Sequence, residues 1–443
     1  MNLFEILDFS RADRIAFVGS GGKTTALFQI ARQFNQRVLI TTTTHIGEKE
    51  ADNADDHCVV REVSELRNIK YNNLGKILLI TGPNNGEGKL TGLSSDMMEE
   101  LMKVATKLDC AVLIEADGSR GKPLKAFASH EPVIPAGVSH IVVVAGISAI
   151  GESLSGDWVH RSEIFSLQTD TQIGKPVTLE SVKTILLPPL GAMKVIPEGT
   201  ELYLILNQAD NTEKIIQAGK LAEDLINTYS KIAISSLKYG ENVIACKKSI
   251  AGIILAGGES ERLGIPKQLI PWRNGTFLKS VLDLARMTGL HPIIVVTGAA
   301  HNEIVKELEG QDVIQVENTD WKKGQSTSMK LGLDALIQSG KRVEGAIFLL
   351  VDQPQLSVSY LNFIIESAYL SNSKVIVPIV DGKRSTPVYF NKKAFPDLME
   401  IKGDQGGRAL FSKYLPYFVE WLDATMRLDC DTYEDLQTLR QIE

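Results

Sequence analysis

The sequence predicts an α/β protein of two domains, each built on a parallel sheet. Three observations carry this expectation. Short apolar runs alternate along the chain with segments of helical spacing, as strand–helix–strand units do. Two of those runs break into paired glycines just before a helical pattern, at Gly19–Lys23 and at Gly257–Gly258. At 443 residues the chain also exceeds one ordinary hydrophobic core.

The first half, residues 1–245, begins with a segment to Arg14 and the apolar strand Ile15–Val18. Gly19-Ser20-Gly21-Gly22-Lys23-Thr24-Thr25 follows, then helical spacing at Ala26, Leu27, Ile30, Ala31 and Phe34. Strand, glycine loop, lysine, threonine and helix form a phosphate-binding arrangement, a P-loop. Glycines let backbone N–H groups approach an anion, lysine offsets phosphate charge, and the threonine hydroxyl can ligate Mg²⁺. The long Walker pattern wants glycine where Phe17 stands; the shorter G-x-x-G-K-T-T loop, as in the Mur ligases, fits. ATP or GTP is the expected ligand.

Val38–Ile40 predicts the next strand, running into Thr41–Thr44 and His45, which would face a ligand crevice at a strand's carboxyl end. Glu48–Asn73 reads as polar and irregular, and Ile77–Ile80 as a further strand. Ala111–Ile114 delivers Glu115 and Asp117 at its end; Asp117 is the expected Mg²⁺-directed acid, with Glu115 as support or base. Ile141–Val144 and Leu202–Leu206 are apolar throughout, as strands covered on both faces are. The second ends in Asn207-Gln208-Ala209-Asp210, like the guanine-reading N-K-x-D of GTP-binding proteins with glutamine for lysine. Ala245–Ser249 reads as a short polar joint, with no Pro/Gly/Ser-rich linker.

The second half, residues 250–443, opens on Ile253-Ile254-Leu255-Ala256-Gly257-Gly258, then Arg262 and Gly264-Ile265-Pro266-Lys267. Leu255, Ala256, Gly257 and Gly258 form an anion cradle at a strand end, with Arg262 and Lys267 as adjacent cations. Helical spacing over Phe277–Thr288 and the strand Pro292–Gly298 follow. Gly324-Gln325-Ser326-Thr327-Ser328 precedes a helix that its hydroxyls could also cap. Ala346–Val351 is an apolar strand that ends in Asp352, where Mg²⁺ on a phosphate needs carboxylate oxygen. Asp429-Cys430-Asp431-Thr432 closes the series; one of the two aspartates should complete the metal site, and Asp431 could equally cap a helix.

Gly19–Thr25, Thr41–His45, Glu115–Gly118, His130-Glu131-Pro132, Val159-His160-Arg161 and Asn207–Asp210 together resemble the accessory protein family of selenium-dependent molybdenum hydroxylases, over about the first 240 residues. The stretch Leu255–Lys267, with Gly324–Ser328, Asp352 and Asp429–Leu436, resembles the molybdenum cofactor cytidylyltransferases. That resemblance implies a Rossmann-like nucleotidyltransferase domain, with Mg²⁺, CTP as donor and molybdopterin as acceptor. It implies that Leu255–Gly258 with Gly324, Ser326 and Ser328 hold the nucleotide, that Arg262, Lys267 and Asp352 act in transfer, and that Asp429 or Asp431 joins Asp352 on the metal. In the first half the loop spacing, the strand-end acids and the N-K-x-D likeness make Gly19, Gly21, Gly22, Lys23, Thr24, Thr25, Asn207 and Asp210 the expected nucleotide-binding residues, with Thr24 and Asp117 on a metal. Gly382-Lys383-Arg384-Ser385-Thr386 and Lys402-Gly403-Asp404-Gln405-Gly406-Gly407-Arg408 are similar to family segments near the pterin. Basic residues in such glycine-containing loops also suit an acceptor that carries a phosphate.

One departure is Gly257, where the cytidyl enzymes usually carry alanine and the guanylyl relatives glycine; GTP therefore stays open as donor. So do a sugar- or polyol-phosphate nucleotidyltransferase and a cofactor-carrying chaperone with a nucleotide switch. The formal charge of −7 gives no basic field for nucleic acid. No apolar run reaches a membrane span and no secretory pattern opens the chain, so a cytoplasmic protein is expected, partnered by a molybdenum hydroxylase apoenzyme. The four cysteines, Cys58, Cys110, Cys246 and Cys430, make neither a disulfide framework nor a metal clip.

Overall fold

The computed structural model describes residues 2–187, 196–240, 243–260 and 262–442; Glu261 of the second glycine-loop motif lies outside them. Two compact units divide the chain, Met1–Lys247 and Lys248–Glu443.

The first unit carries a nine-stranded sheet. Its strands are β1 (Arg14–Gly19), β2 (Val38–Thr42), β3 (Asp56–Val59), β4 (Ile77–Thr81), β5 (Ala111–Glu115), β6 (His140–Gly146), β7 (Glu201–Asn207), β8 (Lys231–Ser235) and β9 (Val243–Lys248). In space they run β9-β8-β7-β6-β1-β5-β2-β4-β3, and the pairs from β8 to β3 are parallel. Alternate residues of β1 enter opposite layers: Ala16 and Val18 join one apolar cluster, Ile15 and Phe17 the other. Covering both faces this way is why the central strands are apolar throughout.

Two segments that read as irregular are edge strands. Asp56–Val59 pairs with β4 alone among the described strands and is half-buried only at alternate residues, where its side chains face the sheet's covered side. The polar joint at Ala245–Ser249 lies largely within β9, which buries Cys246 and Lys248. Edge strands need fewer apolar residues, so their sequences look like loops.

The second unit has an eight-stranded sheet. Its strands are β10 (Ile250–Ala256), β11 (Ile293–Thr297), β12 (Ile314–Glu317), β13 (Gly345–Leu350), β14 (Val375–Val380), β15 (Lys383–Arg384), β16 (Val388–Asn391) and β17 (Tyr417–Trp421). The order is β12-β11-β10-β13-β16-β14-β15, with β17 on β14. Strands β12 through β13 are parallel, and β16 runs antiparallel between β13 and β14.

Both units are mixed α/β folds with a point where strand order reverses. In the first it lies at β1, between β5 and β6; in the second at β10, between β11 and β13. Ligands of open α/β sheets sit in the crevice outside the carboxyl ends at such points. Both glycine loops leave the sheet there.

Candidate functional site

In the first unit the turn after β1 is glycine-dependent. Gly19 has φ +96°, and a Cβ there would stand 2.2 Å from Val144 O; Gly21 has φ +78° and would meet Gly146 N at 2.4 Å. Lys23 reaches back over the loop, its Nζ 2.6 Å from Gly19 O and 3.0 Å from Asp117 Oδ1. Asn207 braces the turn from β7: its Nδ2 donates to Gly21 O at 2.7 Å, and its Oδ1 accepts the Leu237 N–H at 3.0 Å.

Around this loop opens a cavity of 940 Å³, lined by Gly21, Gly22, Lys23, Thr24, Thr25, His45, Glu115, Arg120, His160 and Arg161 among others. Asp117, the expected metal-directed acid, does not line it. It is fully buried, accepts Gly19 N–H at 3.0 Å, and is bracketed by Lys23 and by Lys125, whose Nζ lies 2.8 Å away. The acid beside Thr24 is instead Glu115, whose Oε2 accepts the Thr24 hydroxyl at 3.0 Å. Two buried lysines hold Asp117 inside, a pairing across separate elements that spacing does not reveal. Burial pushes the Glu115 carboxyl up, against the pull of Lys23.

From Lys125 the ion pairs continue to Glu131, 3.0 Å away, which Arg161 clamps through both guanidinium nitrogens. Although burial opposes it, Arg161 and Lys125 hold Glu131 down at about 2. Burial, then Arg161 and Lys125, push His160 below its ordinary value. Asp210 is exposed, accepts the Ser236 hydroxyl and does not line the cavity, whereas Gln208 does.

In the second unit a 390 Å³ cavity is lined by Leu255, Gly257, Gly258, Lys267, Trp321, Gly324, Gln325, Ser328 and Asp352 among others. Gln268, fully buried, pins the loop by donating to Ala256 O at 2.8 Å and Gly258 O at 3.0 Å. Of the serines in the Gly324 segment, Ser328 lines the cavity and Ser326 does not. Both lie on the helix Gln325–Gln338, where Gln325 and Ser328 share a face and Ser326 turns away from it.

Lys267 is the hub of the charges. Its Nζ lies 2.7 Å from Asp352 Oδ2 and 3.2 Å from Asp431 Oδ1. Burial works to lower its pKa, but the two carboxylates raise it, so it stays an ammonium. Arg262, mostly exposed, lies 3.8 Å from Asp431 Oδ2. Asp429 faces the other way: its Oδ1 accepts from Gln353 Nε2 at 2.8 Å, and Thr386 Oγ1 donates to Gln353 Oε1 at 2.7 Å. Burial and the Asp352 charge push the Asp429 carboxyl up.

A second cavity, of 410 Å³, adjoins the first, sharing Leu255, Gln325 and Leu350 as wall. Phe348, Phe390, Phe411 and Met329 line it with Arg384, Arg408, Arg427 and Asp429. Sequence reasoning passes over Lys125, Gln268, Gln353 and Arg427. Gln353, next to Asp352, and Gln268, next to Lys267, carry a signal that could find them.

Among the described residues no three His, Cys, Asp or Glu side chains converge tightly enough to hold a metal unaided. Mg²⁺ ordinarily takes one or two carboxylates plus phosphate oxygens and waters. The Asp352 carboxylate suits that role, since its Oδ1 is buried without a hydrogen-bond partner among the described residues.

A family described as YqeC protein matches residues 15–163, and one described as MobA-like NTP transferase domain matches residues 252–417. YqeC of Escherichia coli (strain K12) is 31% identical over 215 residues, 48% of this chain and 82% of that protein. The chain belongs to the YqeC family. Its C-terminal half adds a MobA-like nucleotidyltransferase. There the nicotine blue oxidoreductase of Paenarthrobacter nicotinovorans is 27% identical over 216 residues, 46% of this chain and 98% of that protein. The molybdenum cofactor cytidylyltransferase of Escherichia coli (strain K12) is 28% identical over 190 residues, 43% of this chain and 94% of that protein. No described helix of this YqeC-family chain is long and apolar enough to cross a membrane.

Proposed function

We propose that the C-terminal unit transfers a cytidylyl group from CTP to the terminal phosphate of molybdopterin and releases pyrophosphate. The N-terminal unit, in this proposal, is a P-loop domain that binds ATP or GTP and serves the maturation of a selenium-dependent molybdenum hydroxylase in the cytoplasm. Relatives of the C-terminal half bear names of unlike activities, so the choice rests on the chemistry of the site.

The observation that carries the proposal is the pair of adjoining cavities with carboxylates at both. The smaller one, with the glycine loop, Lys267 and Asp352, suits a nucleoside triphosphate. Its neighbour, with arginines set among phenylalanines, suits a flat heterocycle that carries a phosphate. Backbone N–H groups of Ala256–Gly258 would take the triphosphate, with Arg262 and Lys267 offsetting its charge. Lys267 is already protonated, so it holds charge and moves no proton. Gln353 ties Asp429 to Thr386, and so orients that carboxylate in the wall of the larger cavity. Asp352 and Asp429 would hold Mg²⁺, because Asp431 is engaged by Lys267 and Arg262. When bound there, Mg²⁺ supplies charge neutralisation at the α-phosphate. The acceptor phosphate is anionic, so no protein nucleophile is needed and positioning supplies most of the rate.

GTP is the second reading, and Gly257 favours it. A Cβ at Gly257 would stand 3.3 Å from Ser328 Oγ, so the glycine leaves room on the nucleotide side of the loop. Pyrophosphate release with Mg²⁺, molybdopterin and CTP, GTP or ATP in parallel decides. Turnover with CTP alone is expected; preference for GTP would move the protein to guanylyl transfer, and silence with all three would overturn the transferase role of this acceptor.

A further inference from the structure

The cavity of the N-terminal unit is large for a nucleotide's phosphates alone. Its 940 Å³ is more than twice the 390 Å³ of the C-terminal nucleotide cavity and near the upper end of the ~300–1,000 Å³ of whole small-molecule sites. The phosphate loop Gly21–Thr25 makes one part of its lining. Another part is the turn Gly118–Lys122 with His160, Arg161, Ser162 and Glu163.

Arg161 stands in the left-handed region, φ +63°, at the start of the helix Ser162–Thr169, and no side chain among the described residues caps that helix. The first intrahelical bond is Phe165 N–H to Arg161 O, so the N–H groups of Ser162, Glu163 and Ile164 stay open for a ligand. Ser162 is only 4% exposed, lines the cavity, and its hydroxyl has no hydrogen-bond partner among the described residues. Its hydroxyl oxygen is not sealed off from solvent, so it is open to what fills the cavity, a ligand or water. Arg120, exposed on the facing turn at φ +52°, adds a cation with no acid partner among the described residues, while Lys122 has only Asp157 at 3.8 Å. Two carboxylates share this wall. Glu131 is fully committed to Arg161 and Lys125, and Glu163 is exposed in the helix's first turn.

We propose that this end of the cavity is a second anion subsite, taking the phosphate of a small phosphomonoester beside the nucleotide. Open helix N–H groups, the Ser162 hydroxyl and the Arg120 guanidinium are complementary to a tetrahedral dianion. The inference rests on the triphosphate reading of Gly19–Thr25 only in requiring that the two sites be separate.

The test uses the full chain, with calorimetric titration of inorganic phosphate in Mg²⁺ and saturating non-hydrolysable ATP or GTP analogue. Wild type should bind phosphate under these conditions, and Ser162→Ala should weaken that binding about tenfold, with melting temperature and analogue affinity unchanged. Arg120→Gln should weaken it as well, and Glu163→Gln should tighten it by removing a like charge. Identical phosphate isotherms for wild type and Ser162→Ala, or displacement of phosphate by the analogue, would overturn the subsite. Lys23→Ala separates the two readings. If it leaves analogue binding intact the triphosphate reading fails, while dependence of phosphate binding on Ser162 still decides the subsite.

Discussion

Lys267 Nζ lies 2.7 Å from Asp352 Oδ2, although 85 residues separate the two in the chain. The other oxygen of that carboxylate, Oδ1, is buried and has no hydrogen-bond partner among the described residues. Lysine therefore fixes the orientation of the carboxylate through one of its oxygens.

Asp352→Asn keeps the shape and removes the charge. Pyrophosphate release should fall by about 10²–10³ or more, with the fold retained by circular dichroism. EDTA should abolish wild-type turnover and added Mg²⁺ restore it. Retention of more than a tenth of the activity in Asp352→Asn would show that the carboxylate is not at the reacting phosphate.

Gly257→Ala places a methyl group 3.3 Å from Ser328 Oγ, closer than most such contacts, so the serine must yield slightly. Loss of space at that edge should penalise GTP more than CTP, by roughly tenfold in the ratio of kcat/KM values. An unchanged ratio would remove Gly257 from base selection.

Lys125 is buried against two carboxylates, Asp117 and Glu131, at 2.8 and 3.0 Å. Lys125→Met would leave both acids without their shared cation and should cost about 3–5 kcal/mol in urea unfolding. A loss below about 1 kcal/mol would mean that water or relaxation replaces the lysine.

Glu131 titrates at about 2 in the folded protein, below the carboxylate's ordinary 4.5. A depressed folded-state pKa means that its contribution is complete above about pH 4.5 and disappears as pH falls toward 2. Unfolding midpoints should fall across that window in wild type and fall less steeply in Glu131→Gln. Parallel curves would show that the Arg161–Glu131 pair does not govern acid stability.

Much of the sheet framework and both glycine loops are legible in the sequence, because an apolar strand ending in paired glycines is a local pattern. Asp56–Val59 and Val243–Lys248 are not, since these edge strands mix polar residues into short, partly exposed runs that carry no continuous apolar signal. At the site, Lys267 and Asp352 stand out from their own surroundings, and the structure places them together. A strand-end position marks Asp117 as a metal-facing acid, yet the structure encloses it between Lys23 and Lys125. Spacing groups Ser326 with Ser328, and the turn of a helix parts them.

By itself the sequence determined what depends on neighbours in the chain: the apolar strands, the glycines that a tight turn demands, and the kinds of charge near each loop. Tertiary structure alone decided which charges meet. Glu115 rather than Asp117 stands beside Thr24, and Asp429 and Asp431 take different partners though two residues apart. The reason is physical: burial and pairing of a charge depend on what other strands bring within a few ångströms, and spacing along one strand holds no record of that.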